Sequence, residues 1–202
     1  MKKRGGTGTV EKFVGFTQQR VGFEDESAET VLAYALSTAL EYAQNREVVI
    51  VCVGTDRSTG DAFGPIIGSR LRQISPVSVY GSLEEPVHAV NLAATLEMIS
   101  RQHQKNPFIL AIDACLGRFD HVGQLIVEQG PLRPGAGVQK ALPEFGDFTL
   151  TGVVNVSGFM EYFVLQNTRL SVVMRMSDIV VRALQMSLHR LRMMNEIARV
   201  VR

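Results

Sequence analysis

The sequence predicts an α/β domain with a mainly parallel β-sheet, because apolar strand-like runs alternate with amphipathic helical stretches. Two runs, residues 48–53 and 108–112, are apolar throughout, which is typical of central strands covered on both faces. Hydrophobic residues make up 46% of the 202 residues. This is enough apolar material for a folded core, and it excludes a wholly disordered chain.

The remaining elements follow in a regular order along the chain. Residues 1–26 are polar and contain several glycines, which predicts a loose arm ahead of a single α/β domain over residues 27–202. Apolar residues at helical spacing predict helices over 27–45, 63–73, 91–104 and 157–202. Short apolar or alternating runs predict strands at 78–80, 124–128 and 148–154, with a Pro/Gly loop at 130–137.

Charge, hydropathy and cysteine content indicate which partners and which cellular compartment the sequence favours. Lys and Arg total 21 against 20 Asp and Glu, so no basic excess favours nucleic acid or an anionic membrane surface. There is no run of 18 apolar residues that would predict a membrane span. Cys52 and Cys115 lie in apolar runs without a Cys-x-x-Cys pair, so we interpret them as reduced core thiols of a cytoplasmic protein.

The last helical stretch carries one long apolar stripe and most of its arginines lie off it. The stripe consists of residues three or four apart: Val173, Met176, Val180, Leu184, Leu188, Leu191, Met194 and Ala198. We expect this stripe to cover the sheet and the arginines to face solvent. A basic helix lying on a membrane is the weaker alternative.

The residues after the first apolar strand do not form a phosphate-binding loop. Such a loop needs Gly, four residues, and then Gly-Lys-Ser or Gly-Lys-Thr. Here five residues separate Gly54 from Gly60, and Asp61 occupies the place of the lysine. An acid at that position repels phosphate, so we reject nucleotide binding and predict no cofactor.

Two acids follow the two apolar strands. Asp61 stands at the start of a predicted helix after the first strand, and Asp113 comes directly after the second. Ligands of parallel sheets collect at the carboxyl ends of strands, so neighbouring strands would bring both acids to one crevice. Two close carboxylates do not both ionise easily, and such a pair can activate water and protonate a leaving amide. A helix cap for Asp61 and a turn role for Asp113 remain alternatives.

Other polar residues near these strand ends are candidate contacts for a substrate. They are Thr55, Asp56 and Arg57 in the first loop and Arg118 beyond the second strand. Arg118 could hold a carboxylate or a peptide carbonyl, or it could simply lie at the surface. Cys115 has no neighbouring histidine to act as its base. The four histidines, His88, His103, His121 and His189, are scattered and show no metal-ligand spacing.

Three motifs resemble a known family of peptidases. Residues 54–71, centred on Thr-Gly-Asp-Ala-Phe-Gly-Pro at 59–65, resemble the first motif of the germination protease of spore-forming bacteria. Ala-Ile-Asp-Ala at 111–114 resembles its second motif, and residues 132–138 resemble a later loop. Their order and spacing agree over residues 48 to about 160. The chain is similar in particular to the smaller YyaC-like sporulation proteins related to that protease.

This resemblance implies a fold, a site and a substrate class. It implies the three-layer α/β/α sandwich of the hydrogenase maturation proteases, with Asp61 and Asp113 at the positions of two essential aspartates. It also implies cleavage of small acid-soluble spore proteins in the cytoplasm of a forespore or mother cell. In the maturation proteases the acidic positions bind nickel together with a later histidine. The corresponding segment here, residues 152–166, contains no histidine, so no metal is predicted.

Three functions are compatible with these residues. The first is a sporulation-associated peptidase that uses the Asp61 and Asp113 pair on a protein or peptide substrate. The second is a non-catalytic relative that keeps the fold and binds a protein partner, with the methionine-rich tail as a packing surface. The third is a metal-dependent maturation peptidase. Assembly into a homo-oligomer is left open by the sequence.

Overall fold

The computed structural model describes residues 16–103, 106–134 and 142–200. Its strands are β1 (Gln18–Gly22), β2 (Val48–Cys52), β3 (Ser78–Tyr80), β4 (Phe108–Gly117), β5 (Gln124–Gln129) and β6 (Phe148–Val156). They form one sheet in the order β1-β5-β6-β4-β2-β3. The four strands β6, β4, β2 and β3 run parallel, whereas β5 is antiparallel to both β6 and β1. The predicted mainly parallel, mixed sheet is therefore confirmed.

Helices cover both faces of this sheet. They are α1 (Ala28–Glu41), α2 (Phe63–Ile74), α3 (Leu92–Gln102), α4 (Glu161–Gln166) and α5 (Leu170–Val200). Side chains alternate between the faces along a strand, so Ile50 and Cys52 of β2 pack with α1, α2 and α5. Val49 and Val51 pack with α3 on the opposite face. This is the predicted three-layer α/β/α sandwich.

The first half of the α5 stripe is core and the second half is not. Val173, Met176, Val180, Leu184 and Leu188 are buried against the sheet and α1. Beyond them the helix leaves the body of the protein, and its residues from 192 to 198 are exposed. On the outer face three arginines pair with acids near or on α1, in the pairs Arg175–Glu24, Arg182–Glu29 and Arg190–Glu41.

Three sequence-based predictions need correction. Within the predicted loose arm of residues 1–26, Gln18–Gly22 form the edge strand β1 and pair with β5; residues 1–15 lie outside the described residues. The helical stretch predicted from residue 157 is divided into α4 and α5 by a turn around Thr168. The strand predicted to end at Ile112 continues to Gly117, because β6 offers it a parallel partner along that length.

Of the Pro/Gly loop predicted at 130–137, residues 135–137 lie outside the described residues. Leu132 forms an isolated bridge with Phe145, and both side chains are buried on the α3 face. Among the helices of the described residues, none combines the length and the apolar character that crossing a bilayer requires.

Candidate active site

The loop after β2 is fixed by its own backbone. Gly54 has φ of 140°, and a Cβ at this position would lie 2.0 Å from the carbonyl oxygen of Asp61. The next residue, Thr55, donates its backbone N–H to that same oxygen at 3.1 Å. Only glycine combines this backbone conformation with such a close approach. The loop therefore closes on itself, which holds Asp61 beside the end of β2.

Helix α2 begins at Phe63, two residues after Asp61, and lies against the backbone at the end of β2. A Cβ on Gly64 would meet the carbonyl oxygen of Val53 at 2.1 Å, so the first turn of α2 touches main-chain atoms. Phe63 and Ile67, on the same helix, are fully buried in the core between α2 and the sheet. Backbone contact on one side and apolar packing on the other set the position of Asp61.

Asp113 lies within β4 rather than after it. It pairs with Thr151 of β6 one residue beyond the last pair between the two central strands, Cys52 and Ile112. The sequence prediction placed it at the end of a strand, and the difference arises because β2 ends here while β4 continues. The side chain of Asp113 is half-buried, and one of its oxygens accepts the backbone N–H of Ala114 at 2.8 Å.

The two aspartates influence each other electrostatically. Burial raises the pKa of Asp113 well above its usual value, the negative charge of Asp61 raises it further, and the Ala114 N–H lowers it. Burial also raises the pKa of Asp61, whereas the Thr55 N–H and the charge of His88 lower it. Asp113 is therefore the member of the pair that holds a proton, and Asp61 is the member that ionises more readily.

His88 belongs to this site although its place in the sequence did not suggest it. It follows Val87, whose carbonyl accepts the N–H of Gly54 at 2.8 Å, so its loop runs beside the end of β2. Asn91 accepts the His88 backbone N–H at 2.8 Å, and the Nδ1 atom of the imidazole accepts the Val90 N–H. When the ring is neutral, this leaves its proton on Nε2.

Cys115 lies two residues from Asp113 on the same strand. Burial raises the pKa of its thiol to about 11, with a further contribution from the charge of Asp113. The thiol therefore stays protonated near neutral pH and does not supply a thiolate nucleophile. Cys52 is fully buried, and both cysteines are free, as the sequence predicted.

The four candidate substrate contacts have different surroundings. Thr55 is half-buried beside Asp61, whereas Asp56 and Arg57 are exposed on the outside of the same loop. Arg118 is exposed as well, and its guanidinium binds Asp120 with two contacts of 3.1 and 3.2 Å. Thr55 therefore lies closest to the pair, and Arg118 has a partner of its own.

A cavity of about 390 Å³ lies along β5 and β6. Its wall includes Thr151, the strand partner of Asp113, together with Thr149, Glu128 and residues 129–133. A second cavity of about 550 Å³ lies between β1 and α1, away from both aspartates. The smaller cavity reaches the strand partner of Asp113, and its wall carries the side chains of Thr149 and Thr151.

Comparison with known proteins gives the family. The family described as "Protein of unknown function (DUF1256)" matches residues 20–183. The chain belongs to this family. A relative, YyaC of Bacillus subtilis (strain 168), is 48% identical over 189 residues, which cover 93% of this chain and 90% of that protein.

The fold is also found in a protein of much lower sequence similarity. The [NiFe] hydrogenase maturation protease HycI from Thermococcus kodakarensis superposes with a TM-score of 0.51 at 13% identity. The match covers 75% of this chain and 98% of that one. The expected maturation-protease-like fold is thereby confirmed. At this level of identity the likeness concerns the fold alone.

Proposed function

We propose that this member of the family is a peptidase in which Asp61 and Asp113 share one proton. The observation that carries the proposal is the convergence of two half-buried aspartates at the carboxyl end of β2, where Asp61 lies in the following loop and Asp113 in the neighbouring strand β4. The pKa of each acid is raised by burial, and the charge of Asp61 adds to the effect on Asp113. Paired acids of unequal pKa supply a general base and a general acid to one reaction.

The proposed reaction is a balanced hydrolysis. Ionised Asp61 takes a proton from water while the water oxygen attacks the peptide carbonyl carbon. Protonated Asp113 gives its proton to the peptide nitrogen, the carbon–nitrogen bond breaks, and an amine and a carboxylic acid are released. The proton on Asp61 then returns to Asp113, so the pair is restored.

The metal-dependent alternative requires a third ligand beside the two aspartates. No group of three His, Cys, Asp or Glu side chains within residues 16–103, 106–134 and 142–200 is arranged to hold a metal ion. The donor set does not fit nickel, and we derive no step through a metal.

The biological setting of the proposal comes from the motif resemblance. The three motifs resemble those of the germination protease, and this resemblance supports a common origin with that enzyme. They also support small acid-soluble spore proteins as substrates in the cytoplasm of the forespore or mother cell. The cavity beside Thr151 has room for a few residues of an extended polypeptide.

The test is hydrolysis of a purified small acid-soluble spore protein by wild type, Asp61→Asn and Asp113→Asn. Each substitution should lower turnover at least about 100-fold, because each removes one partner in proton transfer. Glu26→Gln, which changes an exposed acid just before α1, is the matched control and should keep wild-type activity. Unchanged turnover in either site variant would reject the assignment.

A non-catalytic, partner-binding function is the second candidate, and one observation favours it. Met186, Met193 and Met194 on the outer part of α5 are 49%, 44% and 45% exposed, which suits an adaptable contact surface. If wild type leaves the spore protein intact, this function is preferred. A pull-down from sporulating cells with wild type and with the three methionines changed to serine then tests it.

A further inference from the structure

The segment after β6 exposes an unusual number of apolar side chains. Phe159 is 91% exposed, Tyr162 65%, Phe163 53% and Met160 50%. These four lie within residues 159–163, which we call the aromatic segment. Helix α4, which contains most of this segment, has no buried residue. Clustered apolar exposure of this kind marks a surface used for association.

The aromatic segment is held in place by the framework of the protein. Met160 adopts a left-handed conformation with φ of 61°, and its carbonyl accepts the N–H groups of Phe163 and Val164. Asn155 donates its side-chain amide to the Val164 carbonyl at 3.3 Å. The exposed rings are therefore presented by a fixed turn, at a cost in backbone strain of about 1 kcal/mol or more at Met160.

Two charged residues, each without an ion-pair partner among the described residues, lie at the two ends of α4. Glu161, the first residue of α4, is the one charged residue in the sequence from 157 to 168. Arg169 follows the end of α4. Neither forms an ion pair with another residue of the described ranges. An acid at the start of α4 and a base just beyond its end make this helix complementary to an antiparallel copy of itself.

We propose that the aromatic segment is the contact between two copies of this chain. The two α4 helices lie antiparallel about a twofold axis, with the aromatic rings between them. Glu161 of each copy faces Arg169 of the other, so the contact contains two identical ion pairs. This proposal is independent of the peptidase function.

The available area agrees with such a dimer. At about 200 Å² per aromatic side chain, the exposed parts of the three rings amount to roughly 400 Å². Met160 and Leu170, the latter 55% exposed, add to this surface. Two copies together bury about 1,000 Å², the lower bound for a specific interface.

Charge reversal tests the arrangement directly. Sedimentation velocity of the full chain between about 1 and 100 µM should show a monomer–dimer equilibrium. Glu161→Arg and Arg169→Glu should each weaken the dimer at least about tenfold, because like charges then face each other. The double variant, E161R/R169E, should restore the wild-type equilibrium. Failure of the double variant to recover dimerisation overturns the proposal, as does a monomeric wild type at about 100 µM.

A second pair of variants tests the apolar part of the contact. Phe159→Ser with Tyr162→Ser should abolish the dimer, and these exposed positions allow the change with an unaltered melting temperature. Phe119→Ser is the matched control, since Phe119 is 86% exposed on a different loop, and it should dimerise like wild type. An undiminished dimer in F159S/Y162S overturns the proposal. So does a monomeric wild type whose aromatic segment is needed to bind another protein or vesicles.

Discussion

The two ends of the sheet treat their ionisable groups in opposite ways. At the amino end, Asp147 accepts Arg46 at 2.8 Å through one oxygen and the Ile109 N–H at 2.8 Å through the other. Nearby, His103 contacts Glu47 at 2.8 Å through Nδ1. At the carboxyl end, Asp113 faces the negative charge of Asp61, and burial raises the pKa of both carboxyls. The ion pairs at the amino end thus stabilise the fold. The carboxyl end instead holds two acids whose charged forms are disfavoured, which is typical of functional sites.

The largest loss of stability is expected at the amino end of the sheet, where Asp147 is paired with Arg46. Asp147→Ala removes the Arg46 ion pair and leaves the Ile109 N–H without its carboxylate, and both partners are half-buried. Loss of charged hydrogen bonds of this kind costs about 2 kcal/mol. Urea denaturation should show this decrease in the free energy of unfolding, with Asp56→Ala within about 0.5 kcal/mol of wild type. A D147A protein as stable as wild type would remove the contrast between the two ends.

At the carboxyl end of the sheet, replacing an acid is expected to increase the free energy of unfolding instead of decreasing it. Because the pKa of Asp113 is raised on folding, the folded state binds more protons than the unfolded state above the ordinary Asp pKa. Stability is therefore lost as the pH rises through this range. Asp113→Asn should raise the free energy of unfolding at pH 7, by about 1.4 kcal/mol for each pKa unit removed.

The pH dependence separates this effect from a simple change in packing. In urea titrations the gain from D113N should shrink as the pH is lowered and vanish below the ordinary Asp pKa, where both proteins carry a neutral side chain. A variant that is less stable at pH 7, or a gain that persists in acid, would mean that Asp113 is a favourably solvated acid.

The smallest expected effect is a shift of the pH–rate profile when His88 is replaced. Its positive charge lowers the pKa of Asp61, so His88→Asn should raise that pKa and move the acidic limb of the pH–rate profile to higher pH by a fraction of a unit. His189→Asn, on the exposed face of α5, should leave the profile unchanged. An acidic limb that stays in place in H88N would show that the imidazole does not act on the pair.

The central strands were predictable because they are apolar on both faces. Continuous runs in β2 and β4 have few alternatives to a covered parallel sheet, and the rule for strand ends then pointed to Asp61 and Asp113. The edge strand β1 was missed because Gln18, Gln19 and Arg20 are exposed and carry no apolar alternation. Its pairing with β5 is a tertiary contact that local sequence does not encode.

His88 was missed for a related reason. The loop that follows β3 is long, and nothing in its spacing distinguishes a histidine near the site from a solvated one. A signal was nonetheless present, since β3 is a neighbour of β2 and its carboxyl end lies at the same edge of the sheet. Applying the strand-end rule to short strands as well as apolar ones would have found this residue.

The backbone contact at Gly64 separates the packing of the interior from the placement of Asp61. Because α2 meets Val53 through main-chain atoms, substitutions among large apolar residues deeper in the protein change its fit without altering that spacing. Even one added methyl group at Gly64 would push the helix, and Asp61 with it, away from Asp113.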